Sequence, residues 1–86
     1  MELTADKLKA GKSYVVRSLA CTGALRRRII DMGITPGASI MLKKKAPLGD
    51  PIEFNVRGYE LSMRKTEASL IVAVPAEQAT PEEERK

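Results

Sequence analysis

Ile52, Phe54 and Val56 alternate with Glu53, Asn55 and Arg57, a period of two that predicts a strand with one buried and one solvated face. The alternation resumes beyond Gly58, where Tyr59, Leu61 and Met63 face Glu60, Ser62 and Arg64, so the two runs predict an antiparallel pair. Three further strands are expected. Ser13 to Leu19 is rich in β-branched residues, Ala38 to Lys45 follows a Pro36-Gly37 turn signal, and Leu70 to Val74 is an apolar run after a short turn around Thr66 and Glu67.

Between the first two of these strands the period changes. Leu25, Ile29 and Met32 recur at i, i+4 and i+7, Thr22 is a good N-cap, and Gly33 suits the left-handed position past a helix end, which predicts one helix of about three turns. Thr4 or Asp6 caps a very short helical turn running toward Ala10 and Gly11. The fold class is therefore mainly β, a small SH3-like barrel of about five strands with one helix after the first strand and a short N-terminal helical turn. Closing the sheet protects edges that would otherwise pair with other chains, and an OB-fold is the second choice.

A chain of 86 residues with 43% apolar content makes one domain, here assigned to residues 1–75. Residues 76–86, with Pro81 and Glu82-Glu83-Glu84, have the composition of a disordered acidic tail. From Pro75 onward the chain carries −2, which leaves +6 on residues 1–74, a charge that favours an acidic partner. The longest apolar stretch, Leu70 to Val74, is far short of the roughly 20 residues a spanning helix needs, and no secretory signal is recognisable, so a cytoplasmic location is expected.

Chemistry is constrained by what the chain lacks. Without histidine, imidazole-based nucleophile activation and the commonest transition-metal ligand are both missing. One thiol, Cys21, supplies neither a disulfide nor a closed zinc or iron–sulfur site, and it reads as a small core hydrophobe; a ligand role would require subunits to share ligands. No glycine-rich loop leads into lysine and serine or threonine, so nucleotide binding is not expected. The expectation is no enzyme activity, no cofactor and no metal held by the single chain.

Two basic runs invite a nucleic-acid reading. On a helix Arg26, Arg27 and Arg28 point about 100° apart, which forms no groove-reading stripe, and Asp31 is spaced to pair with Arg27 or Arg28. Lys43-Lys44-Lys45 alternates faces on a strand and reads as edge protection. With only Tyr14, Phe54 and Tyr59 aromatic, the stacking platform of single-strand binders is missing, so no nucleic-acid partner is expected. Ile30 lies off the helix's apolar seam and either touches a loop or sits exposed beside Arg26.

The most informative stretch is Ala46-Pro47-Leu48-Gly49-Asp50-Pro51, where two prolines stiffen a loop whose one large apolar side chain, Leu48, stands at the tip. Held this way, Leu48 can meet a partner at low entropic cost, or it can fold back over the barrel mouth. The candidate partner-binding residues are Pro47, Leu48, Gly49, Asp50 and Pro51, supported by Arg26 and Tyr59.

Several motifs now stand in fixed order: Arg26 to Met32, Gly33-Ile34-Thr35-Pro36-Gly37, Ala46 to Pro51, and Gly58-Tyr59-Glu60-Leu61-Ser62-Met63-Arg64-Lys65. Together, over roughly Leu3 to Val74, they resemble the ferrous iron transport protein A (FeoA) family. The resemblance implies a cytosolic SH3-like domain serving the ferrous iron permease, whose cytosolic part includes a GTP-binding domain, and at family level an association with transition metal ion binding. It also implies a likeness to the C-terminal domain of iron-dependent repressors, without their DNA-binding helix-turn-helix. The expected role is an adaptor that docks on the permease and modulates its GTP hydrolysis or gating by differential affinity for two states. Two alternatives stay open: a nucleic-acid or ribosome-associated barrel, and a self-assembling homo-oligomer.

Overall fold

The period-two segments join into one curved antiparallel sheet. In the computed structural model, which describes residues 2–77, the strands are β1 (Leu3–Thr4), β2 (Ser13–Leu19), β3 (Ser39–Lys45), β4 (Ile52–Val56), β5 (Tyr59–Met63) and β6 (Ile71–Pro75). Their order across the sheet is β1-β6-β2-β3-β4-β5. Five of the six are the strands expected from the sequence, β4 and β5 from their alternation. The sixth, β1, is two residues long, too short to carry a period, and exists through its pairing of Leu3 with Ala73 and Thr4 with Val72.

Single-residue bulges at Arg17 and Lys43 interrupt the registers of β2 with β6 and of β3 with β4. Bulges bend the strand and increase its twist, which lets a short sheet wrap around a core. The inward faces bury Tyr14, Val16, Ile40, Leu42, Ile52, Phe54, Val56, Met63, Ile71 and Ala73. Each fully buried large apolar side chain contributes roughly 1.5–3 kcal/mol relative to exposure, so Phe54 at the centre of β4 is a principal anchor. Tyr14 belongs to this core, and its phenol oxygen accepts the Lys9 N–H at 3.1 Å, which satisfies its polar end.

One long helix, α1 (Gly23–Asp31), follows β2 with Thr22 at its N-cap in extended conformation. Its end is a Schellman motif: the Ile34 N–H donates to the Ile29 carbonyl at 3.3 Å, the Gly33 N–H donates to the Ile30 carbonyl at 2.9 Å, and Gly33 has φ +95°. The accompanying apolar contact is between Ile29 and Ile34, both fully buried. Leu25, expected on the same seam, is instead 37% exposed.

Other local expectations are corrected. The N-terminal helical turn is a 3-10 turn at Ala5–Lys7 that stops before Ala10; the Thr4 hydroxyl donates to the Asp6 carboxylate rather than capping the backbone. The turn around Thr66 and Glu67 is a short helix, α2 (Lys65–Ala68). Cys21 is partly buried against the core. Of the tail expected from Ala76, the first two residues contact the start of β2 and the residue before it: the Ala76 N–H donates to the Ser13 carbonyl at 3.1 Å, and Glu77 lies 3.3 Å from the Lys12 ammonium. Gln78 onward lies outside the described residues.

Candidate docking surface

The loop between β3 and β4 is built by its own hydrogen bonds. The Ala46 N–H donates to the Pro51 carbonyl at 3.0 Å, closing the base, and the Gly49 N–H donates to the Ala46 carbonyl at 2.7 Å, closing the tip. Gly49 has φ +84°, a conformation that glycine adopts without a Cβ penalty. Leu48 precedes it and is 95% exposed. It does not fold back over the barrel mouth.

Asp50 ties this loop to the start of α2. Its Oδ1 accepts the Lys65 N–H at 2.9 Å, and its Oδ2 lies 3.8 Å from Arg64 Nη1. The next acid along, Glu67, is buried, with a side chain 11% exposed; it accepts the Arg64 N–H at 3.1 Å and lies 3.3 Å from Arg28 Nη2. A continuous polar chain therefore runs from the loop through α2 to α1. Arg28 was expected to pair within its own helix, but its partner is Glu67, and no ion pair to Asp31 occurs among the described residues. A buried carboxylate aimed across the interface outcompetes an exposed one on the same helix, where screening weakens the attraction.

Arg26 and Tyr59 are not brought to this loop. Arg26 stands about 200° around α1 from Arg28, which faces α2, and it borders a shallow depression of about 390 Å³ with Gly23, Arg27 and Ile30. Ile30 is half-buried there, beside Arg26. Tyr59 is 75% exposed at the far end of β5: Met63 pairs with Ile52 next to the loop, whereas Tyr59 pairs with Val56 at the opposite end, about 13 Å along the strand. Residues overlooked by sequence reasoning are Arg28, Arg64, Lys65 and Glu67. The pairing of Arg28 with Glu67 and of Asp50 with Arg64 and Lys65 joins distant segments, whereas the bond from the Arg64 N–H to Glu67 is a local capping contact at i, i+3.

On the outer face, Lys43 at the β3 bulge reaches Glu60 at 2.6 Å. The hydrogen bond from the ammonium, reinforced by its charge, holds the Glu60 carboxyl below the usual carboxylate range and raises Lys43 in turn. Tyr14 and Phe54 are buried, so Tyr59 is the one exposed aromatic among the described residues. No group of three or more Cys, Asp or Glu side chains is placed to hold a metal ion among the described residues, and no helix there is long and apolar enough to cross a membrane.

Comparison with known proteins gives this geometry a context. The model of the FeoA domain matches residues 3–75. A relative from Porphyromonas gingivalis, an Fe(2+) transport protein A/Fe(2+) transporter FeoB fusion protein, is 32% identical over 66 residues; the match covers 77% of this chain and 8% of that much longer protein. The solution structure of a FeoA protein from Chlorobium tepidum is 42% identical, with a TM-score of 0.79 over 86% of this chain and 70% of that one. A zinc-complexed FeoA of Stenotrophomonas maltophilia, described as an SH3 domain protein and a candidate ferrous iron transport activating factor, is 26% identical with a TM-score of 0.73, covering 84% and 89% of the two chains. The metal-bound protein ScaR, 18% identical over 36% of its own length, shares the fold alone, with a TM-score of 0.75.

Proposed function

This chain belongs to the FeoA domain family, and from that premise we propose that it is a cytoplasmic adaptor that docks on the ferrous iron permease through the loop from Pro47 to Pro51 and modulates the permease's GTP hydrolysis or gating. The family is one of non-enzymatic accessory proteins of ferrous iron transport. A relative in which a FeoA sequence and the FeoB transporter form one polypeptide supports the choice of partner, since fusion replaces an encounter between separate chains.

The observation that carries the reading is Leu48, 95% exposed on a loop held by its own hydrogen bonds and by Asp50. Folding gains nothing from exposing that side chain. Burying it in a partner contributes roughly 1.5–3 kcal/mol, about 10- to 150-fold in affinity, with little ordering cost because the loop is already fixed. A regulator of this kind acts by binding one state of the permease more tightly than another.

The test is GTP hydrolysis by the solubilised cognate permease, alone, with this protein and with Leu48→Asp, run alongside copurification. The expected outcome is a changed rate and copurification with the native chain, both lost in Leu48→Asp. A Leu48→Asp variant that binds and alters the rate like the native chain refutes the loop assignment.

A further inference from the structure

The loop does not stand alone at its end of the barrel. Lys44 and Lys45 end β3 immediately before it, and Lys45, Ile52 and Met63 lie side by side across β3, β4 and β5. Arg64 and Lys65 follow Met63 at once, and Asp50 of the loop holds the Lys65 N–H at 2.9 Å. Arg28 joins from α1 through Glu67, which also accepts the Arg64 N–H. Lys45, Arg64 and Lys65, exposed cations from two separate segments, are thereby brought to the end of the barrel that carries the exposed Leu48.

Asp50 and Glu67 in this region are already engaged, and Glu53 stands across from Lys44 in the register of β3 with β4. Asp50 serves the Lys65 N–H and Arg64, and Glu67 is buried with both oxygens occupied. They fasten loop, α2 and α1 to one another, and the charge left facing outward is positive.

We propose that this loop end recognises an acidic protein surface with an apolar pocket at its centre, Leu48 entering the pocket while Lys45, Arg64 and Lys65 meet the surrounding carboxylates. The inference rests on the docking reading above and specifies the chemistry of the surface that receives the loop. Apolar centre and charged rim divide the work: the centre supplies affinity, and the rim steers the encounter and sets orientation. A protein surface is favoured over an anionic membrane because one leucine gives little apolar area to insert in lipid, and Asp50 ties the segment that carries Arg64 and Lys65 to the loop, which suits a fixed array of acids.

The experiment measures binding to the cognate permease in neutral-lipid nanodiscs at 50 and 300 mM KCl. It also measures binding to vesicles of phosphatidylcholine with one-quarter phosphatidylglycerol. Native affinity for the permease is expected to fall about 10-fold across that salt range, as screening shortens the reach of the rim charges. Lys65→Glu is expected to lower affinity at low salt by about 10-fold, and Arg17→Glu, an equal charge change on β2 at the other end of the barrel, by less than about twofold. Because the loop is held by the main-chain N–H of residue 65, the charge reversal leaves the fold intact, which an unchanged urea midpoint verifies. Salt-insensitive binding that Leu48→Asp still abolishes overturns the acidic-rim inference and leaves docking through the loop standing. Equal losses from Lys65→Glu and Arg17→Glu also overturn it, since net charge alone then accounts for the effect. If Leu48→Asp and Lys65→Glu both bind as the native chain does, the loop reading and this inference fall together. Vesicle binding as tight as permease binding, lost in Leu48→Asp, reassigns the surface to lipid and overturns the proposal.

Discussion

Two connections flank β4, and they answer different needs. Between β4 and β5 the chain turns through Arg57 and Gly58 alone, with φ values of +54° and +88°, the type I′ signature whose twist matches that of the strands it joins. Between β3 and β4 it uses six residues, three of them Pro47, Leu48 and Pro51, and fastens the excursion to α2 through Asp50. An antiparallel neighbour needs no more than the first kind of turn. The second is longer than pairing requires, is held in place by the Lys65 N–H, and raises an apolar side chain into water.

The comparison breaks completely if the strand common to both connections is removed. Phe54→Ala is expected to cost about 3–5 kcal/mol, by lost burial and a cavity at the centre of β4, and a urea titration would show both connections lost in one cooperative transition. Gly58→Val separates the two. A Cβ there meets nothing within 4 Å, so the penalty is backbone strain alone, roughly 1–3 kcal/mol for a β-branched residue held at positive φ. Leu48→Asp should leave the same urea midpoint within about 0.5 kcal/mol of native, because the side chain has almost no contact to lose. One turn would then be sensitive in stability and the other in binding; a large loss of stability in Leu48→Asp would erase the distinction.

The smallest effect concerns the outer face beside the tight turn. Glu60 is held below the usual carboxylate range by Lys43, so its contribution is complete at neutral pH and disappears as pH falls through its depressed folded value. Seen from the other side, Lys43 is raised, and the same contribution is lost as pH rises through its elevated value. Both groups are fully exposed and screened, so the difference in melting temperature between native and Glu60→Gln should be slight at pH 7 and should close on acidification. A gap that widened toward acid would assign the pair a different role.

Much of this architecture was legible in the chain because it is local. Alternation over β4 and β5, the change of period at α1, and the glycine at 33 depend on neighbours within a few residues, and the Schellman closure of Ile29 with Ile34 has the spacing that the sequence shows. Pro47 and Pro51 announced a stiff loop for the same reason. Misjudged elements were those whose stability is borrowed. β1 is two residues that become a strand only against β6, and Arg28 chose Glu67, 39 positions away, over Asp31 on its own helix.

The sequence by itself determined the mainly β class, the five principal strands, the single long helix and the identity of Leu48 as the loop's apolar tip, since side-chain period and backbone preference act over short range. Only the tertiary structure decided that Leu48 faces solvent, that Arg26 and Tyr59 stand away from it, and that Asp50 ties Arg64 and Lys65 to its loop. Those outcomes depend on which strands pair and which surfaces pack, and the ion pair of Glu67 with Arg28 is a contact no local stretch contains.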